Sequence, residues 1–131
     1  MDINQLADKA ADLRQNHGYN CCQAVTAVLA EDVGLKPDDL NLVAAGFAGG
    51  MGNMEGTCGS LIGAVMVAGM KTGGRKSVLV ARDIADRFKE KSGAVRCRDL
   101  KGIDTGMVLC PCQQCVRNAV VAYGELMEGN E

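Results

Sequence analysis

Residues 49–70 read GGMGNMEGTCGSLIGAVMVAGM. Glycines at 49, 50, 52 and 56 free the backbone for tight turns, and from Gly56 to Met70 no charged residue interrupts the run. That run falls short of the roughly 18–20 apolar residues a membrane span needs. It has no β-like alternation, and its small residues recur four apart, Gly59 with Gly63 and Ser60 with Ala64, which lets neighbouring backbones approach closely. The reading is a helix near 57–72 that is apolar on nearly every side and therefore central in a bundle. Thr57 is the expected N-cap. Cys58 then falls on the first helical residue, where unpaired N–H groups and the positive end of the helix dipole favour a thiolate. Glu55, close by, would oppose that effect or accept the thiol proton.

Helical signals continue in both directions from this centre. Ile3, Leu6, Ala10 and Leu13 recur at helical spacing, with His17-Gly18 as a stop. Asn20 followed by Gln23 resembles a capping box and opens a second helix whose face is Ala24, Val25, Val28 and Leu29. Pro37 suits the first turn of a third helix, with Leu40, Val43, Ala44 and Phe47 on its buried side. A fifth helix is marked by Val78, Ala81, Ile84, Ala85 and Phe88. Residues 92–109 lose the pattern and read as loop with at most a short turn. A last helix begins near Pro111 and carries Val116, Ala119, Val120, Tyr123 and Met127. The expectation is an all-α single domain over residues 1–131, a bundle of about six helices.

Composition agrees. At 131 residues the chain can form one core without disulfide staples. Hydrophobic residues make up 47% but aromatics only 3%, so Ala, Val, Leu, Ile and Met must fill the core. A net charge of -2, from 14 basic and 16 acidic residues, gives no footprint for nucleic acid or an anionic membrane. The N-terminal MDINQLADKAADL lacks the features of a signal peptide, and a cytoplasmic location is expected. The apolar composition makes a homodimer a reasonable expectation.

Seven cysteines, at 21, 22, 58, 97, 110, 112 and 115, are many for a reducing compartment, where they more often bind metal or perform redox chemistry than staple a fold. Most fall at predicted helix starts. Asn20 places Cys21 and Cys22 there, and Pro111 places Cys110 and Cys112, with Cys115 one turn along the same face. The segment CPCQQC, 110–115, holds a Cys-x-x-Cys pair that could close a disulfide or share a metal. A complete zinc or iron–sulfur site wants four ligands, and the candidates are Cys21, Cys58, Cys97 and one of Cys110, Cys112 and Cys115.

These segments, NCCQAV at 20–25, GGMGNMEGTCGSLIGA at 49–64, CRDLKG at 97–102 and CPCQQCVRNAV at 110–120, resemble the bacterial and archaeal family named for its C-GCAxxG-C-C pattern. That family comprises small proteins taken to be redox-active from four characteristic cysteines. The resemblance implies that Cys21, Cys58, Cys97 and Cys112 form the functional set, with Cys110 as the rival for the last place. Ser60 stands where the motif has alanine, and Cys22, Cys110 and Cys115 are additional.

Plainer readings cover the rest. Cys22 is expected to be a buried packing residue, Met51, Met54, Met66 and Met70 core filler, and His17 a helix-terminal residue. The glycine loop lacks the Lys-Ser/Thr of a P-loop. With a single histidine, neither a Ser-His-Asp nor a Cys-His arrangement can be assembled, which argues against hydrolysis. The expected function is redox or metal chemistry centred on Cys58, with Cys21, Cys97 and Cys112 as partners, a zinc ion or iron–sulfur cluster as the candidate cofactor, and a redox partner protein. A helical interaction domain without chemistry is the alternative.

Overall fold

Asp2 starts the first helix, α1 (Ile3–Asn16), because its carboxylate accepts the N–H groups of Asn4 at 2.9 Å and Gln5 at 3.3 Å. The computed structural model describes residues 2–128. In α2 (Cys21–Leu29) the capping box is complete: Asn20 accepts from the Gln23 N–H at 2.8 Å, and Gln23 accepts from the Asn20 N–H at 3.1 Å. The amide NH2 groups of the same two side chains reach the carbonyls of Ala45 and Asn41, which ties α2 to α3 (Pro37–Ala44). A single 3₁₀ turn, Ala30–Val33, lies between them and ends at Gly34, in the left-handed region at φ 72°.

Next come α4 (Gly59–Lys71), α5 (Ser77–Ser92), the short α6 (Cys97–Lys101) and α7 (Cys112–Glu128). Among the described residues there is no strand, only one isolated antiparallel bridge between Thr57 and Arg96. The expected bundle of about six helices is present, with α6 added inside the stretch read as loop.

The centre is shared. α4 packs on α2, α5 and α7, and α7 also packs on α1. Leu61, Ala64, Val67 and Ala68 of α4 are buried, and Gly63 lies so close to α2 that an added Cβ would stand 3.0 Å from the Cys22 carbonyl oxygen. From the other helices, Val25, Leu29, Ile84, Phe88, Val116, Val120 and Tyr123 fill the interior completely. Burying a side chain such as Phe88 stabilises the fold by about 1.5–3 kcal/mol. The Tyr123 hydroxyl, buried with its ring, donates to Asp32 at 2.5 Å, and Lys71 pairs with the same carboxylate at 3.3 Å. One carboxylate thus ties α7, the 3₁₀ turn and α4 together.

Several expected details differ. Thr57 is not the cap of α4, because its backbone is engaged in the bridge to Arg96; Cys58 itself is the N-cap residue. Pro111 lies just outside α7, and its carbonyl accepts the Cys115 N–H at 2.9 Å. Val43 and Val78 are exposed, at 57% and 82%. The inward stripe of α3 is Leu40 and Ala44, and that of α5 runs through Ile84 and Phe88, with Val80 in partial contact. Met51 and Met70 are exposed rather than core. No helix of the described residues is long and apolar enough to cross a membrane.

Candidate functional site

The glycine loop ahead of α4 winds left-handed: φ is positive at Gly49, Gly50, Met51, Gly52 and Met54. For the two methionines this is an unfavourable conformation. Three backbone bonds hold it, Gly52 N–H to Ala48 O, Met54 N–H to Gly49 O and Gly56 N–H to Gly50 O, at 3.1, 2.8 and 2.9 Å. Close approach explains two of the glycines. A Cβ on Gly50 would lie 2.7 Å from the Cys97 Cβ, and one on Gly59 would lie 2.3 Å from the Phe47 carbonyl oxygen. The loop also pairs with the start of α6: Cys97 N–H donates to Gly56 O at 3.0 Å, and Cys58 N–H donates to Val95 O at 2.8 Å. Two distant cysteines are thereby fixed by backbone bonds rather than by side-chain packing alone.

Five cysteines line one cavity of about 220 Å³: Cys21, Cys58, Cys97, Cys112 and Cys115. They come from the start of α2, the head of α4, the start of α6 and the first turn of α7. The expected set Cys21, Cys58, Cys97 and Cys112 is therefore gathered in one place, and Cys115 joins it. Of the seven cysteines six are buried and Cys112 is partly exposed.

Cys22 and Cys110 do not line the cavity. Cys22 is wholly buried with its sulfur 3.9 Å from that of Met66, and burial pushes its thiol up to about 12. Cys110 is a buried acceptor instead. Its carbonyl takes a bond from the Cys115 thiol at 3.5 Å, and its sulfur one from the Asn118 amide at 3.7 Å.

Cys58 carries the strongest chemical signal. Its thiol is lowered to about 7, first by the neighbouring Cys115 side chain and then by the Ser60 hydroxyl, at 2.9 Å, and the Ser60 N–H; burial and Cys21 oppose the shift. Cys115 moves the other way, held far above the ordinary thiol value by the neighbouring Cys58 and by burial. Of the two, Cys58 is the one whose surroundings favour the thiolate and Cys115 the one favoured as thiol. Cys97 is raised by burial and by the negative charge of Cys58, against a smaller opposing effect of Lys101.

Two cations complete the lining. Arg14 Nε donates to the Cys21 sulfur at 3.3 Å, and the Lys101 ammonium donates to the Cys112 sulfur. Glu55 faces away from the thiols and pairs with Arg98 at 3.3 Å and Arg96 at 3.7 Å, so it neither opposes the Cys58 thiolate at contact nor takes its proton.

Sequence reasoning missed Arg14, the hydroxyl of Ser60 and Lys101, and it placed Cys115 as a possible metal ligand or disulfide partner of Cys112 rather than beside Cys58. The Cys-x-x-Cys spacing was the available signal for Cys115. Ser60 was read as a small packing residue, whereas its hydroxyl is hydrogen-bonded with the Cys58 sulfur. Among the described residues, no three His, Cys, Asp or Glu side chains are grouped so that they could hold a metal ion.

Residues 19–126 match the family model described as "Putative redox-active protein (C_GCAxxG_C_C)". Neither a curated protein nor a solved structure matches the chain.

Proposed function

The chain belongs to the C_GCAxxG_C_C family, and from that premise we propose that it is a dithiol redox protein whose working pair is Cys58 and Cys115. The observation that carries this reading is that Cys58 and Cys115, from the heads of two different helices, are brought to one buried cavity, with the Cys58 thiol lowered and the Cys115 thiol raised, which suits one as nucleophile and the other as its thiol partner. With a disulfide R–S–S–R as the oxidant, Cys58–S⁻ and Cys115–SH give the Cys58–Cys115 disulfide, RS⁻ and RSH. Two electrons pass from the protein to the substrate, and the Cys115 proton leaves on one product thiol. Cys21, Cys97 and Cys112 line the same cavity and supply further thiols, with Arg14 and Lys101 against two of them.

The convergence of four thiol-bearing segments supports a second reading, a thiolate-bound zinc ion or iron–sulfur cluster, for which four sulfurs are a full ligand set. The sulfurs would have to draw closer together than they stand here.

One experiment separates the two: metal and acid-labile sulfide content of protein purified without oxygen, together with a count of titratable thiols before and after oxidation. The dithiol reading expects no stoichiometric metal and a reversible loss of two thiols, mapped by peptide mass to Cys58 and Cys115. Stoichiometric zinc, or iron with sulfide, with about four thiols masked, overturns it in favour of the metal site.

A further inference from the structure

The working pair is buried, with Cys115 at 1% and Cys58 at 5% exposure, inside a cavity of about 220 Å³. A bulky disulfide cannot reach either sulfur directly. Cys112 can be reached: it is the one cysteine of the seven with appreciable exposure, it lines the same cavity, and it stands one helical turn before Cys115 on α7. That spacing lets two sulfurs meet within disulfide range with little backbone movement. Lys101, from α6, holds the Cys112 sulfur through its ammonium. Resting on the dithiol reading above, we propose that Cys112 is the thiol that first meets the oxidant, and that the disulfide then moves inward, from Cys112–Cys115 to Cys115–Cys58.

The steps balance. The Cys112 sulfur attacks R–S–S–R, the S–S bond breaks, and one RSH leaves with the Cys112 proton as Cys112–S–S–R forms. The Cys115 sulfur, giving up its proton to the Cys58 thiolate that lines the same cavity, displaces the second RS⁻, and the Cys112–Cys115 disulfide forms. That RS⁻ takes the proton from Cys58 and leaves as RSH. The Cys58 thiolate then attacks the Cys115 sulfur and expels Cys112 as a thiolate. In sum, two protein thiols and one thiolate with R–S–S–R give the Cys58–Cys115 disulfide, the Cys112 thiolate and two RSH. Two electrons have moved from the buried pair to the substrate. Each exchange is attack of a thiolate on a neighbouring disulfide sulfur, so the order of the sulfurs in space sets the order of the steps.

The test uses the full chain and oxidised glutathione. In Cys115→Ala, the glutathionyl adduct should accumulate on Cys112 and be located there by peptide mass. In Cys112→Ser, formation of the Cys58–Cys115 disulfide should slow by about tenfold or more. Acid quenching of the wild-type protein at early times, with mapping of the first adduct, gives the same answer should Cys115→Ala fold poorly. An adduct on any other cysteine, or an undiminished rate in Cys112→Ser, overturns the relay while leaving the buried couple standing. A wild-type protein that never forms the Cys58–Cys115 disulfide overturns the dithiol reading, and the relay with it.

Discussion

Cys58 at the head of α4 and Cys115 in the first turn of α7 line the same buried cavity, and the Cys115 side chain is the largest single cause that lowers the Cys58 thiol. A thiol from another helix and Ser60 at its own helix start together favour the thiolate.

The ultraviolet absorbance of thiolate should therefore rise with pH in a step centred near 7, the value to which Cys58 is lowered. Cys58→Ser should abolish that step with helical content nearly unchanged. Cys115→Ala should move it up toward the ordinary thiol value of 9, and Ser60→Ala should move it in the same direction by less. The sign for stability follows: a lowered acid pKa contributes stability that is fully present above about 9 and is lost as pH falls through about 7. A step that stays at the same pH in Cys115→Ala would show that the Cys115 side chain is not its cause.

Glu55→Gln should leave the thiolate step where it is. The Glu55 carboxylate is engaged by Arg96 and Arg98 at the surface rather than by the sulfur. A shifted midpoint in the same absorbance titration would mean that this charge acts on Cys58 after all.

Cys22→Ser should act on the fold and not on the chemistry. The position is fully buried between apolar neighbours and Met66, so a hydroxyl there costs about 1–3 kcal/mol, read as a lower midpoint in urea. The number of thiols lost on oxidation should match the wild type.

Two glycines of α4 should respond oppositely to alanine. At Gly59 the new Cβ meets the Phe47 carbonyl, and Gly59→Ala should destabilise by about 1–3 kcal/mol. At Gly69 nothing lies within 4 Å, and Gly69→Ala should stabilise by about 0.4–1 kcal/mol through helix propensity and unfolded-state entropy. Thermal denaturation of the two variants measures both. Equal effects would mean that the loop does not press on the helix start.

What the sequence by itself determined was local. Asn20 with Gln23 declared the start of α2, Pro37 that of α3, and the charge-free run after Gly56 the buried character of α4. Each of these signals acts over a few residues, through a cap, a fixed φ or a helical period, and so survives without tertiary context. Where the outcome depended on packing, the reading slipped: Val43 and Val78 satisfy a helical period yet face solvent, because period alone does not say which side of a helix finds a partner.

The tertiary structure decided which groups meet. The resemblance selected Cys21, Cys58, Cys97 and Cys112, and all four line one cavity. That Cys115 joins them and is the side chain that most lowers the Cys58 thiol, that Glu55 pairs with arginines instead, and that Arg14 and Lys101 contact Cys21 and Cys112 depend on residues apart in the chain. A thiol pKa is set by whatever lies within a few ångströms of the sulfur, and those neighbours are chosen by how α1, α4, α6 and α7 pack, not by spacing along the chain.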